Sequence, residues 1–138
     1  ESKIWREYWQ EEVDAAFLYT VLAELTPNQQ ERNSYFKLAD IEDKHAQAWE
    51  KMLEEKNHKK LIRQPSLKAR LLASFTKKTG TSLLKDWLRK EESSEVKSYL
   101  HLYKNSVDAP TQKLALRLAQ DSAQHAEQLG KMNNSATE

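Results

Sequence analysis

The chain has no cysteine, two glycines and three prolines in 138 residues. Without thiols there are no disulfides, no zinc–thiolate sites and no iron–sulfur or rubredoxin-type centres, and a reducing compartment is permitted. So few breakers exclude a sheet protein, which needs a turn every few residues, and leave long helices as the expected elements. No apolar run approaches the roughly 20 residues that span a bilayer, and no signal peptide is visible. A cytoplasmic location, at the cytosolic face of a membrane or away from it, is therefore expected. The length suits one domain, taken as residues 1–138. The first residue is Glu1 rather than Met, so a longer parent protein is expected.

Net charge is +1, but the charges are segregated. From Lys56 to Lys90 there are eleven Lys/Arg and one acid, Asp86, a balance of +10; the rest carries eleven bases against twenty acids, a balance of −9. Such a segment is either a solvated basic face or a surface for an anionic partner. It has no nucleic-acid recognition motif, and no nucleic-acid partner is expected.

Breakers and caps divide the chain into four long helices and a crossover. The first spans about Ser2 to Leu25, ended by "TPN", and the second starts after Pro27 and continues to about Lys56. The crossover, about residues 57–80, holds a short amphipathic helix between a Ser66 N-cap and a Gly80 stop. The third long helix covers Thr81 to about Asn105. The fourth starts at an Asp108 cap with Pro110 in its first turn and fades at Gly130, leaving a flexible tail over 131–138.

Each long helix carries an inner stripe at alternating spacings of three and four. The stripes read Trp5, Trp9, Glu12, Ala16, Tyr19, Ala23; then Tyr35, Leu38, Glu42, His45, Trp49, Met52; then Leu84, Leu88, Glu92, Glu95, Tyr99, Leu102; then Leu114, Leu118, Ser122, His125, Leu129. Polar residues interrupt every stripe near its middle. One fixed offset, the one that carries Glu12 onto Glu92, lays "EEVDAAFLY" on "EESSEVKSY" and "KLADIEDKHA" on "RLAQDSAQHA", without a gap. Two helical hairpins related by a pseudo-twofold axis are the expected result.

Buried carboxylates and imidazoles cost several kcal/mol each unless neutralised or paired. A divalent cation satisfies several at once, and Glu with His suits iron or manganese. The known bundle geometry takes one Glu from each of two helices and Glu-x-x-His from each of the other two. Glu12 and Glu92 supply the first kind, and Glu42 with His45 one complete second kind. The fourth contribution is broken, with Ser122 where a Glu is expected, followed by His125. Read alone, a histidine on an apolar face is a hydrogen-bonded core residue, Tyr19, Tyr99 and the tryptophans are packing residues, and Glu95 is a solvent-facing acid.

The stretches "EEVDAAFLYTVLAE", "ADIEDKHAQAWEKML" and "EESSEVKSY" resemble the rubrerythrin branch of the ferritin-like superfamily, over roughly residues 4–130. More narrowly, "YWQEEVDAAFLY" followed by "PSLKARLLASF" resembles the rubrerythrin-like domain ahead of the membrane part of vacuolar-iron-transporter-like proteins. The resemblance implies an all-α, ferritin-like four-helix bundle whose metal ligands are Glu12, Glu42, His45, Glu92, His125 and, as an additional carboxylate, Glu95. It implies supporting roles for Tyr19, Tyr99 and Asp121. Ser122 departs from the pattern, so one well-ligated Fe(II)/Fe(III) site and a weak second are expected, with Mn(II) as an alternative metal.

The implied role is sensing or delivering Fe(II) for a membrane iron or manganese transporter. Ferroxidase or peroxidase activity of rubrerythrin type would be weakened by Ser122. The competing expectation is a metal-free bundle kept for dimerisation or docking. A homodimer is expected, and the crossover helix, with Leu67, Leu71, Leu72 and Phe75 among Lys68, Arg70, Lys77 and Lys78, either packs in it or meets an anionic membrane or the transporter.

Overall fold

The computed structural model describes the backbone of residues 2–57 and 59–137 and the side chains of 3–57 and 59–132, so His58 lies outside the described residues. Five helices and no strand occur among the described residues: α1 (Ser2–Leu25), α2 (Gln29–Asn57), α3 (Leu67–Thr79), α4 (Ser82–Asn105) and α5 (Ala109–Thr137). The offset that carries Glu12 onto Glu92 also carries both ends of α1 onto those of α4, and both ends of α2 onto those of α5. The repeat read in the sequence is thus a repeat of helix boundaries as well.

Local chemistry sets those boundaries. Asn28 Oδ1 accepts the Glu31 N–H at the start of α2 (2.9 Å), and Asp108 Oδ2 accepts both the N–H and the hydroxyl of Thr111 at the start of α5 (3.0 and 2.6 Å). Ser66 Oγ caps α3 by accepting the Ala69 N–H at 3.1 Å. Gly80 ends α3 with φ at +98°, a conformation that L side chains resist, and donates its N–H to Thr76 O. Gly130 does not end α5, which continues to Thr137, so the predicted fading at Gly130 is corrected. A mid-helix glycine costs about 1 kcal/mol against alanine, and this helix tolerates it.

The chain divides into two compact units, Glu1–Leu84 and Lys85–Glu138. In unit 1, α1 and α2 pack as an antiparallel hairpin, Trp9 meeting Glu50 and Glu12 meeting His45. Its core is heavily aromatic: Trp5 and Trp49 have ring centroids 6.4 Å apart, and Tyr8 stacks on Trp49 at 5.4 Å. Leu18, Tyr19, Leu22, Tyr35, Leu38 and Leu53 complete it, and burying each contributes about 1.5–3 kcal/mol. The stripe positions shift slightly from the sequence expectation. Ala16 and Met52 are half-buried, while Val13, Ala15 and Leu53 are buried beside them.

The segment before α3 is strapped onto the hairpin. Arg63 is ion-paired with both Asp43 and Glu50, and its Nη2 donates to Glu50 Oε1 at 3.0 Å. Ser66 donates its N–H to Asp14 Oδ1 and its hydroxyl to Asp14 Oδ2, at 2.8 and 2.6 Å. α3 then packs on α1 through Ala69, Ala73 and Thr76.

In unit 2, α4 and α5 also run antiparallel: Glu92 pairs with His125 and Glu95 with Ser122. Leu88, Tyr99, Ala115, Leu118, Ala119 and Leu129 are buried, and so is Thr111. Leu114, expected on the inner stripe, is half-buried, and Ala115 takes the inward position.

Candidate metal centre

The period of an α-helix brings residues three apart onto one face, so α2 presents Glu42 and His45 together, one turn below Trp49. From α1, Glu12 sits between Trp9 and Tyr19 on the facing stripe. All three are inaccessible: Glu12 and Glu42 are 0% exposed and His45 2%. His45 Nδ1 lies 3.1 Å from Glu12 Oε2 and 3.5 Å from Glu42 Oε2. One ligand atom from each of the three residues falls within 4.8 Å of the others. Two carboxylates and one imidazole, converging and buried, form a donor set that fits a divalent cation of the iron or manganese kind.

The electrostatics show how the cluster is balanced without a cation. Burial, followed by the neighbouring charge of Glu42 and a hydrogen bond to it, pushes the Glu12 carboxyl up from 4.5 to about 8 against the opposing pull of His45. Burial disfavours the His45 imidazolium, but hydrogen bonds and charge from Glu12 and Glu42 outweigh it and carry its pKa up to about 11. Both Glu12 and His45 therefore keep their protons to higher pH than the free side chains do. A cation that took these donors would displace them.

Unit 2 repeats the arrangement with one rearrangement. Glu92, Glu95, Ser122 and His125 are all buried, and His125 Nδ1 lies 3.4 Å from Glu92 Oε1. Glu95 is only 5% exposed, which overturns its reading as a solvent-facing acid. Ser122 Oγ donates to Glu95 Oε2 at 3.1 Å. Under the repeat offset, Glu42 corresponds to Ser122 and Ala15 to Glu95. Unit 1 thus has a small residue on its first helix and a carboxylate on its second, and unit 2 has the reverse. The carboxylate missing from α5 is replaced by one from α4, and the serine hydroxyl fills the space and holds it. That exchange was visible in the aligned stretches "EEVDAA" and "EESSEV", where Ala15 faces Glu95.

Tyr19 and Tyr99 are both fully buried on the stripes that carry the carboxylates. Asp121 is half-buried, and it precedes Ser122 by one residue, about 100° around the helix. Among the described residues, His101 is exposed, beside Asn105, and takes no part. The Arg63 network with Asp43, Glu50 and Trp9 was not foreseen. Its signal, a lone arginine in an otherwise featureless linker, is too weak to read without the fold.

No curated protein and no solved structure matches the chain. The family model described as Rubrerythrin matches residues 9–133, which include both carboxylate–histidine sets. An all-α, ferritin-like helical bundle with carboxylate and histidine groups able to hold a metal, the chain belongs to the rubrerythrin family.

Proposed function

We propose that the chain binds Fe(II), with Mn(II) as the alternative, and senses or delivers it for a membrane transporter on the cytosolic side. The observation that carries the metal reading is the convergence of Glu12, Glu42 and His45, fully buried, with donor atoms within 4.8 Å of one another. Hard carboxylates with one imidazole favour these metals over copper, and the absence of cysteine argues against zinc–thiolate chemistry. Family membership supports iron. The transporter rests on the resemblance of "YWQEEVDAAFLY" and "PSLKARLLASF" to domains that precede a membrane part.

Glu12, Glu42 and His45 would hold the cation in unit 1, and Glu92, Glu95 and His125 are the candidate donors in unit 2. Bound iron supplies Lewis acidity and a one-electron couple. The protein's own part is to exclude water with the tryptophan-rich core and to give up protons from Glu12 and His45 as metal enters. The buried Glu95 favours a second reading, oxidase or peroxidase activity at two irons, because it restores the carboxylate count that Ser122 removes.

Anaerobic titration of the demetallated chain with Fe(II), followed by air, separates these readings. Near one iron per chain with slow oxidation supports sensing or delivery. Two irons with rapid oxidation put the enzyme reading ahead. No binding overturns the proposal and leaves a helical docking module.

A further inference from the structure

The outward face of α3 combines large exposed apolar side chains with exposed cations. The helix buries Ala69, Ala73 and Thr76, and the opposite side carries Leu67, Leu71 and Phe75 at spacings of four, 65%, 62% and 49% exposed. At about 100° per residue, Lys68 borders this stripe on one flank and Arg70 and Lys77 on the other, with Lys78 at its C-terminal end. All four cations are exposed. No acid occurs in the sequence between Lys56 and Lys85, so this segment carries a strong positive balance.

α3 is also held so that this face stays outward. Its N-terminus is pinned by the Ser66–Asp14 hydrogen bonds, the preceding segment by Arg63 on Asp43 and Glu50, and its inner face by small residues that allow close approach to α1. A helix exposing three large apolar side chains at such cost in hydration needs an occupant. Pairing with α3 of a second copy is self-defeating. A twofold contact would set the same cations of both copies against each other across the seam. An occupant that is apolar beneath and anionic at its surface satisfies both features, with the lysine stems lying along the apolar layer and their ammonium groups reaching the charged layer.

We propose that α3 docks this domain on an anionic lipid bilayer, Leu67, Leu71 and Phe75 entering the acyl boundary and Lys68, Arg70, Lys77 and Lys78 meeting lipid phosphates and carboxylates. The proposal is independent of metal binding. It orients the domain, because the anchoring face belongs to a helix fixed to unit 1.

The test is co-sedimentation of the whole chain with phosphatidylcholine vesicles, with and without phosphatidylserine, at low and high salt. Binding is expected to the phosphatidylserine vesicles only and to fall with salt. Lys77→Gln and Lys78→Gln should each lower the partition coefficient about fivefold. Leu71→Ser with Phe75→Ser should abolish binding while leaving the circular dichroism and thermal melt unchanged, since both side chains are exposed. Equal binding to both vesicle types, no binding at low salt, or full binding by the serine variant overturns the proposal. So does a self-association, measured by sedimentation velocity, that the serine variant loses, because the face would then belong to a second copy.

Discussion

Replacing Glu42 with glutamine tests the metal reading most directly. The amide keeps the shape of the side chain but removes one of the two carboxylates facing His45. In the parent chain, a cation at one hundred times its Kd stabilises the fold by about 2.7 kcal/mol. For a domain of this size each kcal/mol is worth about 3 °C, so the melting temperature should rise by about 8 °C. If losing an anionic ligand weakens binding about a hundredfold, the same metal concentration gives about 0.4 kcal/mol, a shift of about 1 °C. The metal-free variant should melt at or above the parent. Glu12 and His45 remain matched at 3.1 Å, and the Glu42 charge, which adds to burial in raising the Glu12 pKa, is gone. The assay is differential scanning calorimetry of both chains, demetallated and then loaded anaerobically with Fe(II) or with Mn(II). A variant that keeps the full shift removes Glu42 from the site. A parent that shows no shift removes the site altogether.

Metal stabilisation should grow with pH. Glu12 and His45 both have folded pKa values above their ordinary 4.5 and 6.5, so their contribution to the metal-free fold is complete in acid and is lost as pH rises through about 8 and about 11. Metal needs the deprotonated donors, so the gap between loaded and metal-free melting temperatures should widen from about pH 5 to 9; a constant gap contradicts the assignment. Ser122→Glu alone places a second carboxylate beside buried Glu95 and should cost about 1–3 kcal/mol. Adding Glu95→Ala, which reproduces the unit 1 pattern, should recover about 1–2 kcal/mol in a denaturation double-mutant cycle, and strict additivity would refute the exchange. Arg63→Ala should destabilise by about 1–2 kcal/mol at neutral pH and alter Trp9 fluorescence, because Glu50 accepts from both. Burial raises the Glu50 pKa but the Arg63 and Trp9 hydrogen bonds bring it below its usual range, so this difference should shrink as pH falls through the acid range, as urea melts will show.

Much of this was legible in the chain itself. Few breakers, well-placed caps at Ser66 and Asp108, and a period between three and four placed the ends of the long helices to within a residue or two, except the C-terminal end of α5, because capping and amphipathicity are local properties. Gly130 misled, since a glycine is a stop only where the backbone takes a positive φ, as at Gly80, and nothing in the sequence distinguishes the two. Helical spacing put Glu12, Glu42, His45, Glu92 and His125 on the inner stripes, and the repeat paired Glu12 with Glu92 and His45 with His125.

What spacing could not decide was how the side chains balance one another. By its sequence Glu95 is equally suited to face water; burial against Ser122 is decided by which helix packs beside α4. The raised pKa values of Glu12 and His45 follow from close approach in a buried interior, where burial and neighbouring charge shift pKa values far more than at a surface. The strap from Arg63 to Asp43 and Glu50 joins distant positions through an irregular segment without a period to read. Periodicity is written along one helix and can be read from it, whereas pairing between elements depends on their approach and exists only once the chain has folded.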